Sequence, residues 1–412
     1  MQCIISLSNY IKRGTVLCLT GLLIVLMIIP SQGARAASTR TVNTLVDGWD
    51  GICDTTNCTL NEAFSLSSSG DTVVFDASLS GTITVSTTLY LVGTSLTING
   101  SPNVIISGGN ARQVFNIQSG ANLTLNGLTI QDGHNDMGGA INVSHSTLNL
   151  TYSTIIGSTA SYNGGAIYND SGTVNVTGSA LQDNTSNAIG GGAIYNISGT
   201  VNVTNSTLQG NYANTGSGNG YGGGIYSDQG TLTVTNSAFE NNTAESAGGA
   251  IYNLEGTVMV INSTFTGNTA TNTSWGNGGG IWNYGPLTVT NSTLQGNSAG
   301  QYGGGISNYA ALTLTNSTLA ENSAVTNQGG GINNGWQMDY ANTIIANNTG
   351  GDCYTGDGTI GTNTNNLVQD GTCSADLSGD PKLAALADNG GPTQTMALQA
   401  DSARLATLIE WL

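Results

Sequence analysis

From residue 113 to residue 381 the chain contains no lysine and no arginine. A surface without cations over that length cannot neutralise phosphates, so nucleic-acid binding is excluded. Electrostatic attachment to anionic lipid headgroups fails for the same reason. The gap also removes the usual equipment of uronate lyases, which need a cation for the carboxylate and commonly a Lys or Arg base. Histidine is nearly as scarce: His134 and His145 are the only two. His134, within Asp132-Gly-His-Asn, reads as a loop residue. Cysteine is missing from 59 to 352. No segment between 100 and 350 has a convincing helical period. The glycine-rich segments are not phosphate loops, because neither a Lys nor a helix follows them. No cofactor is expected.

What the chain has is repetition. Eight copies of Gly-Gly-(Ala/Gly)-Ile place isoleucines at 141, 167, 194, 225, 251, 281, 306 and 332, with gaps of 26, 27, 31, 26, 30, 25 and 26 residues. A period in this range indicates a solenoid. The copy from Gly191 to Asn211 holds three short runs: Ala193-Ile194-Tyr195, Val201–Thr204, and the run around Leu208. Alternating β-branched residues between Gly, Asn and Ser turns predict strands. Three strands per turn describe an all-β parallel β-helix, with coils stacked at roughly 4.8 Å.

Side chains alternate faces along a strand. Ile194, Val201 and Val203 then point inward, and Tyr195, Asn202 and Thr204 outward. Two asparagine columns follow the same register: Asn169, Asn196, Asn253, Asn283 and Asn308, and Asn184, Asn211, Asn242, Asn268, Asn297, Asn322 and Asn348. Stacked amides that hold the turns explain both. Asn169, Asn184 and Asn196 among them also fit N-x-Ser/Thr, which this composition makes almost unavoidable. Length variation falls in Tyr212–Tyr221 and Thr269–Asn277, and insertions at one turn project from one side of a solenoid.

Tyr168, Tyr195, Tyr226, Tyr252 and Trp282 occupy one outward column over five successive coils. They form a stripe of about 20 Å, suited to sugar rings or a protein partner. The bland alternative is a stacking ladder that stabilises the sheet face. As outward residues, each is expected to contribute only about 0.2–1 kcal/mol per cross-strand pair. Among carboxylates, Asp183 and Glu240 each follow an inward Leu or Phe, two coils apart, hence roughly 10 Å. Glycosidases need two carboxylates at about that range, but a lone pair in a regular array reads as solvated surface. Asp47, Asp50 and Asp54 crowd a Gly-containing loop and form a weak calcium candidate.

The N-terminus reads as a secretory signal over 1–36. Lys12 and Arg13 precede an apolar run from Val16 to Ile29, and Ala34-Arg35-Ala36 offers a cleavage site. Cleavage leaves four basic residues against 24 acidic, a formal charge of −20. In an exported chain the remaining cysteines suggest two local disulfides, Cys53 with Cys58 and Cys353 with Cys373. Metal binding is the rival reading, though no His lies near either pair.

Three stretches resemble known families. The pairing of GG(A/G)I with (Phe/Leu)-x-x-Asn, as in Gly248–Ile251 with Phe265–Asn268, resembles the repeat of polymorphic outer membrane proteins over about 138–348. That resemblance implies a right-handed, pectate-lyase-like β-helix of about 10–12 coils and a role as a surface adhesin. Cys58-Thr-Leu-Asn61-Glu62-Ala63 resembles the module named for Cys-Ser-Leu-Arg-Glu-Ala, with Asn61 at its Arg position. It implies an N-terminal cap over 37–95, and Thr59–Leu66 is an amphipathic helix candidate for covering the open coil. Gly379–Leu383 with Ala387–Thr395 resembles a choice-of-anchor module, within a C-terminal region 351–412 that follows the repeats of 96–350. Past Leu398 it departs into a stretch with Leu405, Leu408, Ile409 and Leu412 on one helical face.

These readings converge on a secreted or cell-surface β-helix for adhesion or envelope interaction, without catalysis, whose partner is a glycan or protein. A carbohydrate-active enzyme on the same fold is the alternative, and a structural spacer the third.

Overall fold

The computed structural model describes residues 36–214, 216, 219–325, 327–400 and 402. The expected signal segment, Ala36 aside, and the apolar face from Leu405 to Leu412 lie outside them. All that follows belongs to the unit that begins at Ser38.

The chain winds into a parallel β-solenoid of about 11 turns. One coil runs through Ile194–Ile197, Thr200–Thr204, Thr207–Gln209 and Tyr212–Ala213. Each strand pairs in parallel with its equivalent one coil on: Ile194 with Ile225, Val201 with Leu232, Leu208 with Phe239, Ala213 with Ala244. The rungs build sheets of 13, 12, 11 and 7 strands. The expectation of three strands per turn was one short. The fourth sheet includes two-residue strands such as Thr185–Ser186 and Thr243–Ala244, too short to show an alternation. It occupies the stretch read as a tolerant turn.

Alternation places the core as expected. Ile194, Val201, Val203 and Leu208 are fully buried, as are their neighbours along the axis. Phe239 stacks on Phe265 with ring centroids 4.7 Å apart. No coil closes this core alone, because each aliphatic face is covered by the rungs above and below.

The Gly-Gly motif has a steric origin. Gly191 sits at φ +67, a left-handed conformation that favours glycine. A Cβ on Gly192 would lie 2.2 Å from the Gly223 carbonyl oxygen of the next coil. The isoleucine that follows starts the next strand.

Both predicted asparagine columns are buried amide ladders. Asn184, Asn211, Asn242, Asn268, Asn297 and Asn322 each donate through Nδ2 to the next Oδ1 at 2.9–3.0 Å. The second ladder runs from Asn169 to Asn196 at 2.7 Å, and from Asn253 through Asn283 and Asn308 to Asn334 at 2.8 Å. Between them Ser227 replaces Asn, and accepts from Asn196 at 3.4 Å. These amides press on the following turn. A Cβ on Gly230 would meet Asn196 Nδ2 at 2.3 Å.

The corner between the 13- and 12-stranded sheets carries further ladders that the sequence reading did not pick out. Asn205, Asn236, Asn262, Asn291, Asn316 and Asn342 all adopt φ between 50 and 53, where Asn is tolerated. Each amide donates back to the preceding one at 3.0–3.1 Å. The adjoining serines form a second line, with Ser206 N–H donating to Ser237 Oγ and Ser237 N–H to Ser263 Oγ, both at 3.1 Å.

The ends are distinct. The helix Leu60–Ser65 falls within the predicted segment, and Thr59 with Glu62 makes a reciprocal capping box. Leu60, Ala63 and Phe64 join the solenoid core. Strands from Thr39 to Val92, in the stretch expected as a cap, already occupy rungs of three sheets. The disulfides Cys53–Cys58 and Cys353–Cys373 form as expected. After the last rung, residues 383–398 make a hairpin with antiparallel bridges Leu383–Leu398 and Ala387–Thr395. Its tip returns to the middle of the solenoid: Thr264 Oγ1 donates to the Gln394 carbonyl at 2.7 Å, and Thr393 Oγ1 to the Asn262 carbonyl at 3.0 Å.

Candidate ligand groove and the aromatic column

The 11-stranded sheet puts the five aromatic residues in register. Tyr168 pairs with Tyr195, Tyr195 with Tyr226, Tyr226 with Tyr252 and Tyr252 with Trp282. Their rings stack at 5.5, 4.6, 4.9 and 4.2 Å between centroids, all within 24° of parallel. The column and its outward direction are therefore as predicted. Its openness is not. Tyr195, Tyr226 and Tyr252 are only 6, 5 and 8% exposed. They form a second apolar cluster outside the coil, flanked by Ile197, Leu254, Tyr221 and Ala247. Backbone alternation decides which way a side chain leaves the strand, but lateral neighbours decide whether water reaches it. The three central rings are structural, and the modest stability contribution expected of them is corrected accordingly.

Burial acts on their phenols. It pushes Tyr195 up to about 12, with the carboxylate of Asp228 adding to the effect. Tyr226 and Tyr252 are raised further, again chiefly by burial. Asp228 is itself raised by burial and by the nearby charge of Glu255.

Beside this column, at its later end, the surface opens. Tyr221, Ala247 and Asn277 occupy equivalent positions in three successive coils. The first and last of these residues end the two long insertions at Tyr212–Tyr221 and Thr269–Asn277. The middle coil has a short turn there. Asn219 and Tyr221 border one side of the opening and Trp275 and Asn277 the other, two rungs or roughly 10 Å apart, with Ser246 and Ala247 between them. The groove has a volume of about 310 Å³ and is lined by Asn219, Tyr221, Ser246, Ala247, Tyr252, Trp275, Asn277 and Trp282. Trp275 projects from the later insertion and is 70% exposed. Tyr221 leans against Tyr252 at 4.7 Å and 45°. The Oδ1 of Asn277 is sealed from bulk and accepts no hydrogen bond. Of the predicted stripe, then, Tyr252 and Trp282 enter the groove, while Tyr168 lies at the far end of the column. Sequence reasoning missed Tyr221 and Trp275, because both stand in insertions rather than in the repeat.

The other candidates do not assemble. The Asp47 carboxylate accepts from Asn61 N–H and from Ser86, Asp50 from Ile52 N–H and Asn57, and Asp54 from Thr56 and Asn57 N–H. Asp50 and Asp54 brace their own loop, whereas Asp47 ties that loop to the helix at Asn61 and to Ser86. Among the described residues no three His, Cys, Asp or Glu side chains group to hold a metal ion, so the three carboxylates do not assemble as the calcium candidate required. Hydrogen bonds from Ile52 and Thr56 hold Asp50 and Asp54 below the usual carboxylate range. Asp183 and Glu240 occupy different columns: Glu240 is two rungs beyond Gln182, whereas Asp183 lies past the strand end at φ +52. Glu240 instead faces a polar cavity of about 470 Å³ beneath the C-terminal hairpin, with Asn236, Thr264 and Gln394. His134 begins a strand paired to Thr159, and His145 is exposed with Nδ1 3.1 Å from Ser144 Oγ.

No family model matches the chain, and no curated protein matches it. Solved structures do. An alginate lyase of the PL6 family, AlyGC, aligns over 88% of this chain and 55% of its own at 14% identity, with a TM-score of 0.42. Pectate lyase Pel9A aligns over 89% of this chain and 90% of its own at 12% identity, with a TM-score of 0.43. The chain thus spans about half the length of the first. At these identities the similarity concerns the β-helical fold alone.

Proposed function

We propose that this protein is an exported β-solenoid of the bacterial cell surface or its surroundings that binds a glycan through the groove between its two insertions, without catalysis. The observation that carries the reading is the groove itself. Indole and phenol rings from Trp275, Trp282, Tyr221 and Tyr252 converge on it with the amides of Asn219 and Asn277. Sugar rings offer C–H faces to aromatic planes and hydroxyls to amides, so apolar walls with a few placed polar groups suit them. The resemblance of the repeats to polymorphic outer membrane proteins, and of the termini to surface-protein modules, supports an adhesive role outside the cytoplasm. So do the two disulfides.

The test is a binding screen of the purified protein against immobilised glycans and intact cells, alongside incubation with a polysaccharide panel. Retention on glycans without release of reducing ends or unsaturated uronates is the expected result. Sustained turnover would make it a carbohydrate-active enzyme. Retention on cells stripped of glycans would assign a protein partner, and no retention at all would leave a spacer.

A further inference from the structure

We infer that the groove selects uncharged sugars, taking one or two neutral pyranose rings and rejecting uronate, sulfated and sialylated glycans. This rests on the glycan-binding reading above and names the ligand's chemistry.

Size comes first. At about 310 Å³ the groove is at the small end of the roughly 300–1,000 Å³ range of ligand sites. Sides two rungs apart admit a short saccharide unit rather than a long buried chain. Stacking surfaces come second. Trp275, 70% exposed, offers an indole face on one side of the groove, whereas Tyr252 and Trp282 are stacked on each other at 4.2 Å and 4° and form a fixed aromatic border beside it. Hydrogen bonding is third. The side chains of Asn219 and Ser246 line the groove and are of the donor-and-acceptor type that suits sugar hydroxyls.

Charge decides the class. None of the eight residues lining the groove is charged, and no Lys or Arg occurs within 113–381. An anionic ligand entering here would be desolvated without a counter-ion, at a cost of several kcal/mol. The nearby acidic groups make matters worse. Glu245 directly precedes the lining residue Ser246, and its Oε1 accepts from Gly216 N–H at 3.2 Å. Asp228 and Glu255 lie where the column leaves the coil, close enough for Asp228 to affect Tyr252. Like charges repel the anion before it docks.

The experiment pairs neutral and anionic probes of equal length: cellotriose and galactotriose against trigalacturonate. Calorimetric titrations use the mature chain and its Trp275→Ala variant. Trp275 is largely exposed, so that variant keeps its melting temperature. The expected result is binding of at least one neutral trisaccharide, no detectable binding of trigalacturonate, and about a tenfold loss of affinity in W275A, the worth of one aromatic face. Trigalacturonate bound in a Trp275-dependent manner would overturn the charge inference while leaving the groove as a glycan site. Neutral sugar bound equally by W275A would overturn the placement in the groove. Binding of none of the three would overturn the neutral-sugar inference, and failure of the wider glycan screen as well would overturn the glycan reading beneath it.

Discussion

Two corners of the coil obey opposite rules. Between the 13- and 12-stranded sheets every connection from Asn126 onward is two residues long, and Thr204 to Thr207, Thr235 to Ala238 and Ile261 to Thr264 are each bridged by an Asn-Ser pair. Between the short fourth sheet and the next isoleucine the length varies freely, from Ala244–Ile251 in one coil to Ala213–Ile225 in another. The difference is one of hydrogen bonding. At the constant corner each residue is a rung of a ladder, so an extra residue would shift every amide above it. At the variable corner the ladder resumes at Gly-Gly whatever precedes it. Constraint and freedom are thus separated around the coil, and the groove lies at the free corner.

The sharpest test of what a ladder contributes is to remove a rung, here from a third corner, between the 12-stranded sheet and the fourth. Asn242 accepts from the amide and backbone N–H of Asn211 and donates to the Leu208 carbonyl and Asn268. Asn242→Leu leaves buried donors and an acceptor without partners, and the expected loss is ~3–5 kcal/mol, read by chemical denaturation. Next comes the outer column: Tyr226→Ala removes a ring packed on both sides and is expected to cost ~3 kcal/mol. A loss below about 1 kcal/mol would mean that the column is an exposed stripe after all. Gly230→Ala forces a methyl against Asn196 and the Gly199 carbonyl, with an expected loss of about 1–3 kcal/mol. At the free corner the effects shrink: Trp275→Ala should change stability by no more than about 0.5 kcal/mol.

The phenols add a pH test of the same contrast. Unfolded tyrosine ionises near pH 10, whereas Tyr195 is held up to about 12 by burial. The folded state therefore keeps this proton longer than the unfolded state. Its contribution is intact below about pH 10 and is lost as pH rises towards about 12. Alkaline titration of phenolate absorbance should show a delayed wave that coincides with unfolding. Replacing Tyr195, Tyr226 and Tyr252 together by Phe should shrink that wave and move unfolding to higher pH, leaving the part contributed by Tyr340, which burial also holds up to about 12.

Much of the scaffold could be read from the chain, because each rung repeats the same physical problem. The isoleucine spacing yielded the coil, the alternation around Val201 and Val203 yielded the core, and the two inner Asn columns were read as ladders. The cysteine spacing predicted both disulfides. What escaped has no periodic signal. Two-residue strands such as Tyr212–Ala213 are too short to alternate. The cover over Tyr226 and Tyr252 comes in part from Tyr221, which only the folded arrangement brings to them. The groove depends on Trp275, a single residue in an insertion. The Asn205–Asn342 line is the exception: it does recur with the repeat and was passed over.

The returning hairpin bears on mechanics. In a simple solenoid, tension on one terminus peels the last rung first, then the next. Here the segment before the C-terminus is pinned to Thr264 and Asn262. A pull on the tail is shared between the hairpin base at Leu383 and Leu398, which leads to the final rungs, and the two bonds at its tip. Because Asn262 and Thr264 belong to the same turn as Trp275, the clasp would carry tension from the tail straight to a coil that bears the groove.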